Sequence, residues 1–320
     1  MARPRRIAGR PIYIAVPSAT FRPGAGGRTM TDEPAVAAPP KAASIRFYLP
    51  APALRSLITS YYLIDSPGPL SELLHPEWGN IRFSLRGRWT LQDLTGAGDE
   101  PGLSSMFGPT DRTRQFGTEN GAMIGIGFTP LGWLKIVRRD AGRLANRFAP
   151  LDDALGTPGD ALAVRLAECA DDQARCAVLD DLFAGSGERT HPDETAAMVI
   201  QRVLIDASAG TVDDVIAASG LSHRTLNRLC LRAFGFGPKR LLRRQRFLRT
   251  LARTRDRLDQ PLAALLDDDY YDQAHFIREF RAFMGMTPTA YFTSPREVMR
   301  RVATERARVV GAPVQGLHRS

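Results

Sequence analysis

Thr211-Val212-Asp213-Asp214-Val215-Ile216-Ala217-Ala218-Ser219-Gly220-Leu221-Ser222-His223-Arg224-Thr225-Leu226-Asn227-Arg228-Leu229-Cys230 decides the reading of this chain, because it spells two short helices separated by one glycine. Thr211 followed three residues later by Asp214 has the spacing of a capping box, with Asp in place of the usual Glu. Gly220 suits the left-handed turn that ends a helix, and Ser222 is placed to cap the next one. On that second helix Leu226, Leu229 and Cys230 recur at spacings of three and four and form a buried face, which leaves His223, Arg224, Asn227 and Arg228 on the other side. Helix, tight turn and a second helix that presents donors outward is a shape that enters a DNA major groove.

Working outward, Phe234-Gly235-Phe236-Gly237-Pro238 leads into a longer helix with Pro238 in its first turn. Leu241, Leu248 and Ala252 share one face of it, flanked by Leu242 and Leu251. Between Arg224 and Arg257 there are twelve basic side chains and one acid, Asp256, a local charge of +11 against +9 for the whole chain. Such a cluster suits phosphate neutralisation with counterion release. A second unit follows over 262–288. Phe276, Phe280 and Phe283 form its buried face, and Gln273, Ala274, Ile277 and Arg278 fall on or near the exposed side. Gly285 ends its second helix, and Pro288 restarts the chain.

These residues resemble the AraC-type (AraC/XylS) family of bacterial transcription regulators over about residues 195–293. The run Tyr271-Asp272-Gln273-Ala274-His275-Phe276-Ile277-Arg278-Glu279-Phe280, with Gly285 and Pro288 after it, is similar to the family signature. Ser222 to Leu229, Gly235, Pro238 and the basic helix match its first half. The resemblance implies two helix-turn-helix units that read adjacent major-groove segments of double-stranded DNA, held together by the joining helix. Carried over by position, Arg224, Asn227, Arg228, Gln273, Ala274, Ile277 and Arg278 face bases, with the side-chain chemistry for guanine, adenine and thymine-methyl contacts. His223, Lys239, Arg240, Arg243 and Arg244 are the expected phosphate contacts. Three positions depart from the family: Asp269 stands at a turn usually held by Gly, and Leu265 and Ile216 stand where a small Ala is usual.

The first half has a different texture. Ile81, Phe83 and Leu85 alternate with Arg82, Ser84 and Arg86 as in a strand, Gly87 interrupts, and Trp89-Thr90-Leu91 follows. Ile124, Ile126 and Phe128 alternate with Gly125 and Gly127, a strand with little bulk on its second face. Pro and Gly punctuate at short intervals, as in a sandwich or barrel. After Pro130 the period becomes helical, with further helices expected at 161–169 and 174–183 and a polar linker at 184–188. His75-Pro76, Phe107-Gly108-Pro109, Gly125-Ile126-Gly127-Phe128 and Pro150-Leu151 are similar, more weakly, to regulators with a cupin-like β-domain followed by helices. The expected fold class is α+β: a cupin-like β-rich sensor domain with helices, then an all-α domain with two helix-turn-helix units joined by a long helix. The expected divisions are a disordered extension over 1–44, a sensing or dimerisation domain over 45–187, the DNA-binding domain over 191–297 and a basic tail over 298–320.

A length of 320 residues with 43% hydrophobic side chains allows a core in each of two domains. Three cysteines, Cys169, Cys176 and Cys230, form no C-x-x-C pair and suit a reducing cytoplasm. No apolar run approaches the ~18–20 residues of a membrane span. The Arg-rich leader carries no signal-peptide core, and Met30 is a candidate start. No G-x-S-x-G, Walker loop or paired histidine cluster appears, so no catalytic residue, metal or cofactor is expected. His75, alone in the β-region, falls short of a metal-ligand set. Trp78, Arg82, Arg86, Trp89, Phe107 and Arg112 are the candidates for lining an effector cavity, with solvent exposure of the two strand arginines as the alternative. A small-molecule effector, RNA polymerase and a second copy of the chain are the further candidate partners. Two other readings stay open: a cupin-like metal-dependent enzyme fused to a DNA-binding module, and a sequence-indifferent architectural protein.

Overall fold

Alternating side-chain patterns in the first half build two antiparallel sheets. In the computed structural model, which describes residues 43–93, 96–152, 158–254, 270, 272–293 and 297–318, the strands are β1 (Ser44–Tyr48), β2 (Ile58–Ser66), β3 (Leu70–Leu74), β4 (Asn80–Arg86), β5 (Thr90–Gln92), β6 (Gly98–Asp99), β7 (Ser104–Phe107), β8 (Arg114–Thr118), β9 (Gly121–Phe128) and β10 (Phe148–Pro150). One sheet has the order β1-β2-β9-β4-β7-β10 and the other β3-β8-β5-β6. The leader, the candidate start Met30, and the departures at Leu265 and Asp269 lie outside the described residues.

The two faces of the larger sheet do different work. Tyr61, Leu63, Ile81, Phe83, Ile124, Ile126 and Phe128 point to one side, as the period of two requires. There they meet a short helix α1 (Pro130–Gly132) with its wider continuation through Trp133–Val137, and the helices α3 (Gly159–Glu168) and α4 (Asp172–Phe183); α2 (Ala141–Leu144) lies between. Tyr62, Ile64 and Met123 face the smaller sheet, across from Trp89, Leu91 and Phe116. Two glycines make room on this second face. A Cβ on Gly125 would lie 2.0 Å from the Tyr62 ring, and one on Gly127 would lie 2.5 Å from the Gln315 amide.

The second half is helical: α5 (Glu194–Ile205), α6 (Val212–Ser219), α7 (His223–Phe234), α8 (Pro238–Thr254), α9 (Gln273–Met284), α10 (Pro288–Thr293) and α11 (Glu297–Val310). The α6 to α7 junction follows the local signals. Thr211 and Asp214 make the reciprocal capping box, Gly220 sits at φ 67°, and the Ser222 hydroxyl accepts from the Thr225 amide. Gly235 and Gly285 end α7 and α9 in the same left-handed conformation.

Two segments differ from their reading in the sequence. The 184–188 stretch is not a free linker: the nearly buried Lys135 ammonium donates to the Gly187 carbonyl and pairs with Glu194 at 3.1 Å. The stretch read as a basic tail contains α11, which packs on β1 and β3, and its continuation docks on α8 through the Gln245 amide donating to the Gly316 carbonyl at 2.6 Å. The first follows from a buried ammonium that needs polar partners, and the second from burial of apolar positions such as Ala303 and Val310 hidden among many charges.

Candidate nucleic-acid interface and the cavity beside it

In α7, Leu226, Leu229, Cys230, Ala233 and Phe234 sink into a core shared with α5, α6 and α8. The opposite side exposes His223, Arg224, Asn227 and Arg228. No ion pair holds Arg224 or Arg228 among the described residues. In α9, Phe276, Phe280 and Phe283 are fully buried; Phe283 stacks on Phe247 of α8 at 5.0 Å, Phe280 meets the same ring edge-on at 5.5 Å, and Phe276 packs edge-on against Phe280. Ala274 and Arg278 are exposed, and Gln273 and Ile277 are half-buried. The helix starts at Asp272, whose carboxylate accepts from the His275 amide at 2.6 Å. Thus His275 contributes its backbone to the cap, while its ring packs edge-on against Tyr270.

The joining helix α8 ties the two units together. Glu279 of α9 is 1% exposed and receives Arg243 at 2.7 Å and Arg246 at 2.8 Å. Burial opposes its ionisation, yet the hydrogen bonds from Arg243 and Arg246 hold its carboxyl below the usual range. This ion cluster joins α9 to α8 and was not foreseen, since nothing local marks a glutamate for burial.

The phosphate expectation for α8 needs correction. Arg244 is fully buried, its guanidinium 3.8 Å from the Trp78 ring and donating to the Thr110 carbonyl at 3.0 Å. Arg240 pairs with Asp111 at 2.6 Å and covers the Phe283 ring. Arg244 therefore holds the β-domain rather than solvent, Arg240 and Arg243 have internal partners, and Lys239 and His223 are the exposed members of the set. We expect Lys239→Ala to lower the slope of log affinity against log salt by about 1. Arg244→Ala should leave that slope intact, and an equal drop in both variants would return Arg244 to the phosphate contacts.

Residues 215–294 match the family model described as a helix-turn-helix domain. That span contains both recognition-type helices, the joining helix and the Tyr271 to Phe280 signature in order. The chain carries an AraC-type helix-turn-helix domain. It is a DNA-binding transcription regulator by class. No curated protein matches the chain. Among solved structures, ToxT from Vibrio cholerae is similar at 11% identity and a TM-score of 0.41, covering 78% of this chain and 98% of its own. The AraC-like transcriptional activator CuxR gives 15% identity and a TM-score of 0.25, over 66% of this chain and 87% of its own. An oxalate decarboxylase variant from Bacillus subtilis gives 17% and 0.21, over 28% and 25%.

The AraC-type domain is not a free appendage. Trp78, on the loop between β3 and β4, leaves its own sheet and enters the core of the first unit, edge-on to Phe234 at 5.5 Å. Thr113 donates its amide to the Phe283 carbonyl at 2.8 Å, and His75 shares a 2.6 Å hydrogen bond with the Tyr291 hydroxyl.

Beside these contacts a cavity opens between the two sheets and α11. Arg82, Trp89 and Phe107, three of the six cavity candidates, line it. The other three do not: Trp78 is the plug just described, Arg86 lies exposed against Asp65 and Asn120, and Arg112 borders a smaller adjoining cleft. Of the two strand arginines, Arg82 thus lines a cavity and Arg86 faces solvent. Between them the β4–β9 register shifts, between Ser84 and Arg86, so the regular pairing that keeps Arg82 in the cavity wall does not carry through to Arg86. Arg82 is 8% exposed, ion-paired with Glu77, and its Nε donates to the Tyr62 hydroxyl at 2.8 Å. Met299, Arg306 and Gln315 complete the wall from the far end of the chain. Sequence reasoning missed all three. Met299, Val302, Ala303, Arg306 and Val310 do recur at helical spacing, a usable signal obscured by Arg300, Arg301 and Arg308.

Cys169 and Cys176 are free and half-buried, and Cys230 is buried in the core of the AraC-type domain. Among the described residues no group of His, Cys, Asp and Glu could hold a metal ion, and no helix is long and apolar enough to cross a membrane.

Proposed function

We propose that this chain is a sequence-specific regulator that inserts α7 and α9 into adjacent major-groove segments, under control of a small molecule held by the β-domain. Arg224, Asn227 and Arg228 read bases from the first unit, and Gln273, Ala274, Ile277 and Arg278 from the second. Lys239 and His223 anchor phosphates. The DNA-binding part spans residues 191–297. The observation that carries this reading is the two-sidedness of α7: an apolar face fully engaged in the core leaves a donor-rich face open to solvent on a rigidly capped helix. Donors on a helix whose pose is fixed can discriminate base edges, whereas donors on a mobile segment would serve any phosphate.

The experiment is selection of randomised duplexes by the full-length protein at moderate ionic strength. Enrichment of a motif spanning two major-groove segments on one DNA face supports the proposal. Recovery of the input distribution, with salt-sensitive binding to all duplexes, would instead identify an architectural protein.

A further inference from the structure

We infer that the cavity between the sheets takes a small monocarboxylate with an apolar body, and that the carboxylate is gripped by Arg306 of α11, a residue outside both the β-domain and the helix-turn-helix units. This rests on the effector-cavity reading and names the ligand class and the gripping residue.

Charge makes the first argument. Among the described residues the cavity wall carries two guanidinium groups, Arg82 and Arg306, and one carboxylate, Glu77. Glu77 is engaged with Arg82, which also has the Tyr62 hydroxyl and the Phe107 ring, 4.4 Å from its guanidinium carbon. Arg306 is the unbalanced cation. It is 5% exposed, and its one hydrogen bond runs from Nη1 to the Ser60 hydroxyl at 3.1 Å. Burial lowers its proton affinity, with Glu77 and Tyr62 opposing, to a pKa of about 10, so it stays charged at neutral pH.

Geometry makes the second. The Arg306 nitrogens without a partner are Nε and Nη2. These two N–H groups point the same way and form the side-on fork of the guanidinium, which matches the two oxygens of a carboxylate. Buried donors are almost always satisfied in folded proteins. A pair left open on the same edge of a charged group, beside a cavity, is a place kept for an acceptor that arrives from outside.

The remaining wall sets the rest of the ligand. Ile45, Ile64, Trp89, Phe116, Met123 and Met299 offer hydrocarbon and ring faces. A strongly hydrated dianion would lose more water here than one guanidinium restores, while a monoanion on a hydrocarbon frame gains from both parts.

The test is calorimetric titration of the full chain with octanoate and 2-naphthoate, each against its primary amide. The amide keeps the body and removes the charge. At least one acid is expected to bind about tenfold or more tightly than its amide, the range of a charge-assisted hydrogen bond. Arg306→Met should abolish that preference and leave amide affinity unchanged, and Arg306→Lys should keep part of it. The free variant separates this from a structural role: Arg306→Met should melt at or above the wild-type temperature, because it removes a buried cation whose described partners are one hydroxyl and the Phe47 ring, with no carboxylate paired to it. Equal affinity for acid and amide, absence of binding by all four probes, or a preference that survives Arg306→Met would overturn the inference. Successful duplex selection alongside any of those results would remove the ligand assignment alone. Failed selection with Arg306-dependent acid binding would remove only the reading as a DNA sequence reader.

Discussion

Trp78→Ala is expected to destabilise the protein by about 3–5 kcal/mol, the range for deleting a large buried aromatic side chain. The indole is 2% exposed and bridges two cores: its backbone belongs to the loop before β4, while its ring fills the space between Phe234 and Arg244. Its N–H is buried without an acceptor, so truncation sacrifices no hydrogen bond and the whole cost is packing and cation–π attraction. The latter alone is worth about 2 kcal/mol when desolvated. Arg244 would keep its carbonyl partners but lose the ring that faces it, leaving a charge in a cavity. The loss therefore falls on the contact between β-domain and helical domain. Calorimetry should show a lowered first transition attributable to α5–α8, and an unchanged unfolding profile would mean that the two halves are held elsewhere.

Arg228→Ala is expected to reduce the ratio of operator to random-DNA affinity by about five- to 150-fold, corresponding to about 1–3 kcal/mol for a bidentate contact with guanine. Arg228 is exposed on the face of α7 opposite Leu226 and Leu229, one turn beyond Arg224. Its removal touches no buried group, so the melting temperature should hold while recognition falls. Arg228→Lys sharpens the point, because it retains the charge and discards the planar fork. If Lys restores discrimination, or if Ala leaves it intact, Arg228 contacts a phosphate and the base-reading assignment for that position fails.

The parts of this protein that are legible in its sequence are those fixed by near neighbours along the chain. A cap such as Thr211 with Asp214, a left-handed stop at Gly220, and the three-and-four spacing of Phe276, Phe280 and Phe283 act within a turn or two, so the chain declares them locally. The strand faces were equally plain: Ile81 and Phe83 are buried under helices as alternation requires. Arg82, on the other side of the same strand, was ambiguous, because its fate depends on whether a second sheet covers it. Arg244, Glu279 and Arg306 were misread or missed for a shared reason. Each is a charged residue whose burial is set by a partner distant in sequence: Trp78 for Arg244, Arg243 for Glu279, Ser60 for Arg306. Gly125 and Gly127 announced that their strand face had no bulk, but not that Tyr62 and Gln315 would occupy the space.

The order in which the wall of the cavity is synthesised has a practical outcome. Ile45 and Met123 leave the ribosome long before Met299 and Arg306, so the nascent β-domain must wait, the apolar cavity between its sheets lacking the wall that α11 supplies, through translation of the whole helical half. A fragment cut at the inter-domain turn should keep its sheets yet aggregate and recognise no ligand, and supplying 297–318 as a separate peptide should rescue its solubility.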